Sequence, residues 1–242
     1  MKVVIKLAIG SLDKEYYDSE KTTKEGLNDW LRENEIYWRY TKRVICSDLK
    51  GERIQAIELG AGSCWLSAEL SKLSRIESVI CADISKQRML ERFPLVLELL
   101  GGDRAKIRFL MCDFNVKLPF KDESFDLVLF DAALHHSRRI WETLQETRRI
   151  LRVNGVMIAQ REGCLAPLSF KRQLKRTLTK SDEVKFGVSE NLYLREQYEY
   201  LLKANGFDVR FVPVNSNRKQ KMLWFTNGLL FSNWLIVAKR AY

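Results

Sequence analysis

Beyond Gly51, short apolar runs alternate with amphipathic stretches of helical period, and this alternation constrains the fold more than any other feature of the chain. The apolar runs predict strands at 54–59, 78–82, 107–112, 125–130 and 156–159. The stretches with apolar residues at three- and four-residue spacing predict helices at 63–73, 86–100 and 138–151. Strands that alternate with helices indicate βαβ units, so we expect an α/β fold whose mainly parallel sheet has helices on both faces.

The two ends of the chain differ from this pattern. Residues 1–50 are polar, of helical character and interleaved with aromatic residues, which predicts an N-terminal helical cap before a domain over 51–242. Within that domain we expect a basic lid insert at about 163–190, with a helix over 168–180. A helix over 194–205 and strands over 207–214 and 235–239 follow, and Gly155 is predicted to end the helix 138–151.

Composition limits the class of protein. With 46% hydrophobic and 30% charged residues the chain is neither disordered nor collagen-like. No apolar stretch approaches the length of a transmembrane helix, and Lys6 interrupts the apolar run at the start, so we expect no signal segment. Five cysteines without a close pair favour neither disulfides nor zinc and fit a cytoplasmic location.

A glycine turn follows the first predicted strand in the segment IELGAGSC at 57–64. Gly60 and Gly62 let the backbone approach a ligand closely at the start of a helix. A dinucleotide fold would need a third glycine where Trp65 stands, and a Walker loop would need Gly-Lys-Ser/Thr, so polyphosphates are disfavoured. Glu58, immediately before the glycines, would instead attract a cation such as an ammonium or sulfonium group. The alternative for a lone Gly-x-Gly is simply a tight turn.

Acidic residues end the next three predicted strands: Asp83, Asp113 and Asp131. In a parallel sheet these ends meet at the crevice where open α/β folds bind ligands. Asp83 lies about 20 residues beyond the glycines, where a carboxylate can accept both hydroxyls of a ribose. Asp113 could accept from an adenine amino group, with Phe114 against the ring. Taken alone, Asp83 has a second interpretation as a helix N-cap.

Several motifs resemble the class I S-adenosylmethionine-dependent methyltransferases, in particular the type 11 group that includes the ubiquinone and menaquinone C-methyltransferases. They are ELGAGSC at 58–64, ADIS at 82–85, CDF at 112–114, LPFKDESFDLVLFDAALHH at 118–136 and LRVNG at 151–155. The resemblance covers about residues 50–240. It implies a Rossmann-like sheet of seven strands with the last strand antiparallel, S-adenosylmethionine as methyl donor and S-adenosylhomocysteine as product.

The resemblance also implies a set of cofactor-binding residues. Those implied by position are Glu58, Gly60, Ala61, Gly62, Asp83, Ile84, Asp113, Phe114 and Asp131. In this scheme the glycine turn passes under the methionine part, Asp83 holds the ribose, Ile84 touches the adenine, and Asp131 lies near the methionine amino group. Cys64 stands where the family often has a third glycine, which predicts a tighter or shifted turn. From the N-terminal aromatic residues we expect Tyr17 and Trp38 at the site, with packing against the sheet as the alternative.

Methyl transfer from a sulfonium depends mainly on positioning, and it needs a general base only if the acceptor must lose a proton. The only two histidines, His135 and His136, follow the fourth predicted strand and are the candidate bases. Glu162 is a weaker candidate. The alternatives are a role of the histidines in loop shape and of Glu162 as a polar rim residue. No metal is expected.

The residues after the fourth predicted strand narrow the class of acceptor. The sequence Asp131-Ala132-Ala133-Leu134 lacks the prolines that accompany methylation of base amines, which favours transfer to an O, N or C centre of a small-molecule or lipid-like acceptor. The net charge of +10 and the basic segment 169–180 suggest an anionic acceptor or a peripheral membrane contact, or else a cover helix with a solvated basic face. Basic residues at 218–221 beside aromatic ones could bind single-stranded nucleic acid, but no recognised RNA-binding module accompanies them, so nucleic acid is a less favoured partner.

Other functions stay open beside this expectation. They are an RNA or protein methyltransferase that uses the basic surface, and a non-catalytic, cofactor-binding scaffold of the same fold. The sequence leaves the oligomeric state undetermined.

Overall fold

A seven-stranded sheet organises the structure, a computed structural model that describes residues 15–16, 22–162, 164–180, 188–214 and 233–241. In chain order its strands are β1 (Ile54–Leu59), β2 (Ile76–Asp83), β3 (Ile107–Met111), β4 (Phe125–Asp131), β5 (Leu151–Gln160), β8 (Phe207–Pro213) and β9 (Trp234–Arg240). Their spatial order is β3-β2-β1-β4-β5-β9-β8. The pairs β1–β2, β1–β4, β2–β3 and β4–β5 are parallel, and β9 is antiparallel to both β5 and β8. The predicted mainly parallel, Rossmann-like sheet with a reversed last strand is confirmed.

Six helices accompany the sheet in the described part of the chain, on both faces as predicted. They are α1 (Lys24–Asp48), α2 (Trp65–Ser71), α3 (Lys86–Leu100), α4 (Ile140–Ile150), α5 (Phe170–Lys180) and α6 (Arg195–Ala204). Side-chain caps explain two of the starts. Thr23 accepts from the Gly26 N–H at the start of α1, and Ser85 accepts from the Arg88 N–H at the start of α3.

The sheet is buried on both faces, which is why its strands appear in the sequence as nearly continuous apolar runs. In β4, Leu127 and Leu129 belong to the core shared with α1, α2 and α3. The alternate residues Val128 and Phe130 belong to the core shared with α4 and α6. Burying each such side chain contributes about 1.5–3 kcal/mol, so this alternation fixes the register of the central strand.

The N-terminal helix is packed into the first of these cores. Leu27, Leu31 and Trp38 of α1 are buried among residues of α2 and the sheet. The Thr41 hydroxyl donates a hydrogen bond to Oε1 of Gln160 at 2.5 Å, which fastens α1 to the end of β5. The division into a cap at 1–50 and a domain at 51–242 stays a prediction.

The predicted insert at about 163–190 contains α5 and a two-residue strand, β6 (Cys164–Leu165), which pairs in parallel with β7 (Tyr193–Leu194). Residues 163 and 181–187 lie outside the described residues, as do Tyr17 and the basic cluster 218–221. No helix in the described ranges combines the length and apolar character needed to cross a membrane. The five cysteines are free thiols.

Gly155 has a different role from the one predicted. Helix α4 ends at Ile150, and Gly155 lies inside β5 at an irregularity where pairing with β4 shifts by several residues. A Cβ at Gly155 would lie 2.8 Å from the carbonyl oxygen of Arg152 and 3.2 Å from that of Asp126. The glycine therefore permits a bulge, where two backbones come too close for a side chain.

We expect Gly155→Ala to lower the free energy of unfolding by about 1–3 kcal/mol, because the added methyl group meets backbone atoms that cannot move independently. Urea denaturation followed by circular dichroism measures this. Gly51→Ala is the control, since its Cβ would find only Ile54 Cγ1 at 3.9 Å. Equal stabilities of the two variants would contradict the interpretation of Gly155 as a bulge residue.

Candidate cofactor and acceptor site

A cavity of about 940 Å³ opens at the carboxyl ends of β1, β2, β3 and β4. The strand order reverses between β1 and β4, and ligands bind at such switch points in open α/β sheets. The volume is typical of a small-molecule site. The residues predicted from the sequence that line this cavity are Gly60, Ala61, Gly62, Asp83, Ile84, Asp113, Phe114, Asp131, His135 and His136.

The glycine turn is shaped by close packing as well as by its backbone angles. Gly60 has φ +71°, and its N–H donates to the carbonyl of Ala82 at 2.8 Å. A Cβ at Gly60 would lie 2.6 Å from the Cβ of Ala133, so no side chain fits there. Cys64, where a third glycine was considered, takes the left-handed conformation itself at φ 59° and starts α2. The turn is therefore kept without the third glycine.

Asp83 ties the glycine turn to the start of α3. Its Oδ2 accepts from the Gly62 N–H and its Oδ1 from the Ser85 N–H, both at 2.8 Å. The helix cap itself is Ser85, so the alternative interpretation of Asp83 as the N-cap is not what the structure shows. Each carboxylate oxygen can accept more than one hydrogen bond, so these two bonds do not exhaust Asp83 as an acceptor.

Asp113 and Phe114 form the wall beside the end of β3. Oδ1 of Asp113 accepts from the backbone N–H of Asn115 at 2.9 Å and from its side-chain amide at 2.8 Å, and Oδ2 pairs with Arg138. Phe114 packs edge-on against Phe130, with 5.8 Å between ring centroids, and borders the cavity. This wall offers an apolar ring next to a fixed carboxylate.

Asp131 is paired with an arginine that the sequence pattern did not single out. Arg161 binds it through two hydrogen bonds, Nε to Oδ1 at 2.7 Å and Nη2 to Oδ2 at 3.0 Å. The indole N–H of Trp65 and the side-chain amide of Gln160 donate to the same carboxylate at 2.6 and 2.9 Å. Arg161, like Arg88, also lines the cavity. The cavity at the predicted strand-end acids is therefore a site of mixed charge.

Glu58 lies beneath the turn and is not one of the cavity-lining residues. It is fully buried, and its Oε2 accepts from both the backbone N–H and the hydroxyl of Ser67 in α2. Burial, assisted by the negative charges of Asp131 and Asp83, raises the pKa of Glu58 to about 8. The carboxyl is thus mostly protonated near neutral pH. Instead of attracting a cation directly, as predicted, Glu58 supports the turn from below.

Helix α1 brings a different aromatic residue to the site from the one predicted. Trp38 is buried in the core, whereas Trp30, two helical turns earlier, lines the cavity. Trp30 meets Trp65 edge-on at 5.7 Å between centroids, and the Arg161 guanidinium carbon lies 4.7 Å from the centroid of the Trp30 ring. Trp30 was not among the predicted site residues, and helical spacing alone does not tell which aromatic side chain of α1 faces the cavity. The other aromatic candidate, Tyr17, lies outside the described residues.

His135 is held between two carboxylates. Its Nδ1 lies 2.6 Å from Oε2 of Glu162, and its Nε2 lies 3.8 Å from Oε2 of Glu190. Glu162 also accepts from the backbone N–H groups of Ala133, Leu134 and His135 at 3.3, 3.2 and 3.0 Å. Burial lowers the pKa of His135, but the charges of Glu162 and Glu190 outweigh it, so the pKa is raised above its ordinary value. Glu162 therefore orients His135.

His136 and Glu190 also line the cavity, close to His135. Nδ1 of His136 lies 2.7 Å from the carbonyl oxygen of Ser189 and 3.3 Å from Oε2 of Glu190. One possible ligand atom from each of His135, His136 and Glu190 lies within 4.8 Å of the others, so these three residues could also hold a metal ion. Glu190 comes from the end of the predicted insert, and nothing in the sequence pattern placed it here.

Comparison with known proteins bears on this geometry. The sequence model of a family described as a methyltransferase domain matches residues 57–159, the span from β1 through β5 that carries the glycine turn and both histidines. Residues 57–159 therefore match a methyltransferase domain, and the fold is that of the class I methyltransferases. No curated protein matches its sequence.

Solved structures share this fold at low sequence identity. A chain from the complex between the Haloferax volcanii Trm112 methyltransferase activator and its candidate methyltransferase is 16% identical, with a TM-score of 0.68, covering 98% of this chain and 100% of that one. A Listeria monocytogenes protein described as a candidate S-adenosylmethionine-dependent methyltransferase is 15% identical, with a TM-score of 0.60; the match covers 86% of this chain and 99% of that one. The [4+2]-cyclase SpnF is also 15% identical, with a TM-score of 0.60. The match covers 84% of this chain and 80% of the SpnF chain. The fold thus carries more than one chemistry.

The raised pKa of Glu58 makes a prediction about stability. The pKa of about 8 in the folded state exceeds the ordinary value, so the folded chain holds the proton over a range where the unfolded chain has released it. The free energy of unfolding must then fall as pH rises from about 5 to about 8, by up to about 1.4 kcal/mol per pH unit from this group. Glu58→Gln should remove this contribution and stabilise the protein at pH 8.

Urea unfolding at several pH values measures the effect. Glu52→Gln, at an exposed position, is the matched control and should keep the wild-type pH dependence. If Glu58→Gln also keeps it, the Glu58 carboxyl is charged in the folded state and does not support the turn as a neutral group.

Proposed function

We propose that the domain transfers a methyl group from S-adenosylmethionine to an O, N or C centre of a small-molecule or lipid-like acceptor and releases S-adenosylhomocysteine. The observation that carries the proposal is that one cavity is lined both by the Gly60 turn with Asp83 and by the oriented His135. Cofactor-binding residues and a candidate base that share one cavity are what transfer between two bound molecules requires.

The residues around the Gly60 turn fit an adenosyl cofactor. The turn at Gly60 has no room for a side chain, so its backbone itself borders the cavity and a ligand can approach it closely. In our proposal Asp83 accepts from the ribose hydroxyls, while Ile84, Asp113 and Phe114 border the adenine. When bound, S-adenosylmethionine supplies a methyl group already activated on a sulfonium.

The mixed charge of the cavity fits the amino-acid part of this cofactor, which carries an ammonium and a carboxylate. We place that part near the paired Asp131 and Arg161, which offer an acceptor and a donor side by side. A polyphosphate would instead meet the carboxylates of Asp83 and Asp113 at the strand ends.

Asp83→Ala should weaken binding of S-adenosylmethionine by more than about tenfold, because the ribose hydroxyls lose a charged acceptor and the glycine turn loses its tie to Asp83. Isothermal titration calorimetry measures the affinity, and circular dichroism verifies the fold. Asp208→Ala, an exposed position in β8, is the control and should bind normally. An unchanged affinity in Asp83→Ala would refute the assignment.

For an acceptor that must lose a proton, we propose His135 as the general base and Glu162 as the residue that positions it. A proton taken up by His135 is stabilised by the adjacent carboxylates, which is the physical meaning of its raised pKa. His136 is the second candidate, and Glu162 itself is less suited because it already accepts four hydrogen bonds.

With His135 as base, turnover at saturating cofactor should rise with pH through the raised pKa of His135, since only the neutral imidazole accepts a proton. His135→Ala should lower kcat by about 10²- to 10⁴-fold without changing cofactor affinity. Glu162→Gln removes a negative charge, so the rising limb should move to lower pH as kcat falls. If neither His135→Ala nor His136→Ala changes kcat, no histidine is the base.

A chelator separates this role from a metal site at His135, His136 and Glu190. We expect turnover to be unchanged after EDTA treatment. Loss of turnover that Zn²⁺ or Mn²⁺ restores would show that these residues act as ligands instead.

The function as a whole is tested by incubating the full chain with isotope-labelled methyl donor and a metabolite extract, a lipid extract, total RNA or total protein. Label in a small molecule or lipid supports the proposal. Label in RNA or protein supports the alternative methyltransferase, and cofactor binding without any labelled product supports a scaffold.

A further inference from the structure

An exposed apolar patch lies on and just before α5, far more concentrated than the other exposed apolar residues. We call its four members, Leu168, Phe170, Leu174 and Leu178, the α5 apolar stripe; they are 69%, 42%, 40% and 59% exposed. The remaining large apolar residues found exposed in the described ranges, Trp141, Val153 and Tyr200, are scattered over three other elements. A clustered exposed patch indicates an interaction surface, whereas single exposed residues do not.

The stripe is a continuous face of the helix. Phe170, Leu174 and Leu178 are each four residues apart, so they follow one another along one side of α5. A cover helix would bury this side against the domain, which was the alternative drawn from the sequence. The structure turns a polar side inward instead, with Gln173 accepting from the Ala166 N–H at 2.8 Å and Thr177 lining the cavity.

Basic residues flank the stripe. Lys171, Arg172 and Lys175 are exposed on α5, and the sequence of the helix contains five basic residues and no acidic one. An aliphatic face beside a basic face is the composition of helices that lie in the plane of a membrane surface, where apolar side chains enter the acyl boundary and cations meet anionic headgroups. The whole chain, at +10, adds attraction of the same sign.

We infer that α5 docks the protein onto an anionic phospholipid surface. Nucleic acid explains the charges but not the stripe, because phosphate contacts and base stacking give no reason to expose three leucines. Because Thr177 lines the cavity, docking through α5 would hold that wall of the cavity close to the lipid. The docking itself does not depend on methyl transfer. That the acceptor is a membrane amphiphile is a consequence which rests on the proposed function.

Co-sedimentation of the full chain with vesicles tests the docking without cofactor or acceptor. We expect binding to vesicles of equal parts phosphatidylglycerol and phosphatidylcholine, and binding to pure phosphatidylcholine weaker by more than about tenfold. Leu168→Asp combined with Leu178→Asp should reduce binding to the anionic vesicles by more than about tenfold. Val153→Asp combined with Tyr200→Asp, a matched pair of exposed apolar sites elsewhere, should bind like the wild type.

A charge variant that combines Lys171→Gln, Arg172→Gln and Lys175→Gln should lose binding to the same degree. All these positions are exposed, so the variants should keep the wild-type circular dichroism and cofactor affinity, which separates a failure of docking from a failure of the proposed function.

Docking is overturned if the wild type does not sediment with anionic vesicles, or if the Leu168/Leu178 variant sediments as well as the control pair. Tighter binding to single-stranded RNA than to vesicles, lost in the charge variant but not in the leucine variant, would assign the surface to nucleic acid instead.

Discussion

The contact between the backbone of Gly60 and the methyl group of Ala133 sets the geometry of the whole site. Gly60 follows β1 and Ala133 follows β4, the two strands between which the sheet order reverses. With no side chain at Gly60, the two loops touch and the carboxyl ends of the central strands remain close. A larger residue at either position would separate them, and the cavity depends on this closeness because both loops form its floor.

The acidic side chains at the carboxyl ends of the strands have compensating interactions. Arg161 balances the negative charge of Asp131, and Arg138 balances that of Asp113. The raised pKa of Glu58 keeps its carboxyl group neutral. Burying an uncompensated carboxylate would cost several kcal/mol, so each acid has either a cation, a set of N–H donors or a raised pKa. The arrangement leaves a polar but nearly balanced cavity, suited to a zwitterionic ligand more than to one of a single charge sign.

The predicted insert links the residues around His135 to the proposed membrane-binding helix α5. His135 is oriented by Glu162, which follows β5, and faced by Glu190 at the end of the insert, so the insert that carries α5 also contributes to the surroundings of His135. An enzyme that binds a membrane through such an insert would hold its acceptor pocket at the surface where amphiphilic acceptors collect. The proposed function and the proposed docking therefore support each other, although each is tested separately.

The sequence by itself determined the sheet, its helices and the identity of most strand-end residues. Runs such as β4 are apolar on both faces, and the glycine turn and strand-end acids depend on local geometry, so single-chain patterns suffice to find them. The tertiary structure alone decided which residues meet across the chain. Arg161 reaches Asp131 and Asn34, 30 and 127 residues away, and Glu162 reaches His135 over 27. It also decided that Trp30 and not Trp38 enters the cavity, that Glu58 keeps a proton, and that the apolar side of α5 faces outward. These outcomes depend on packing and desolvation, which arise only when distant segments come together.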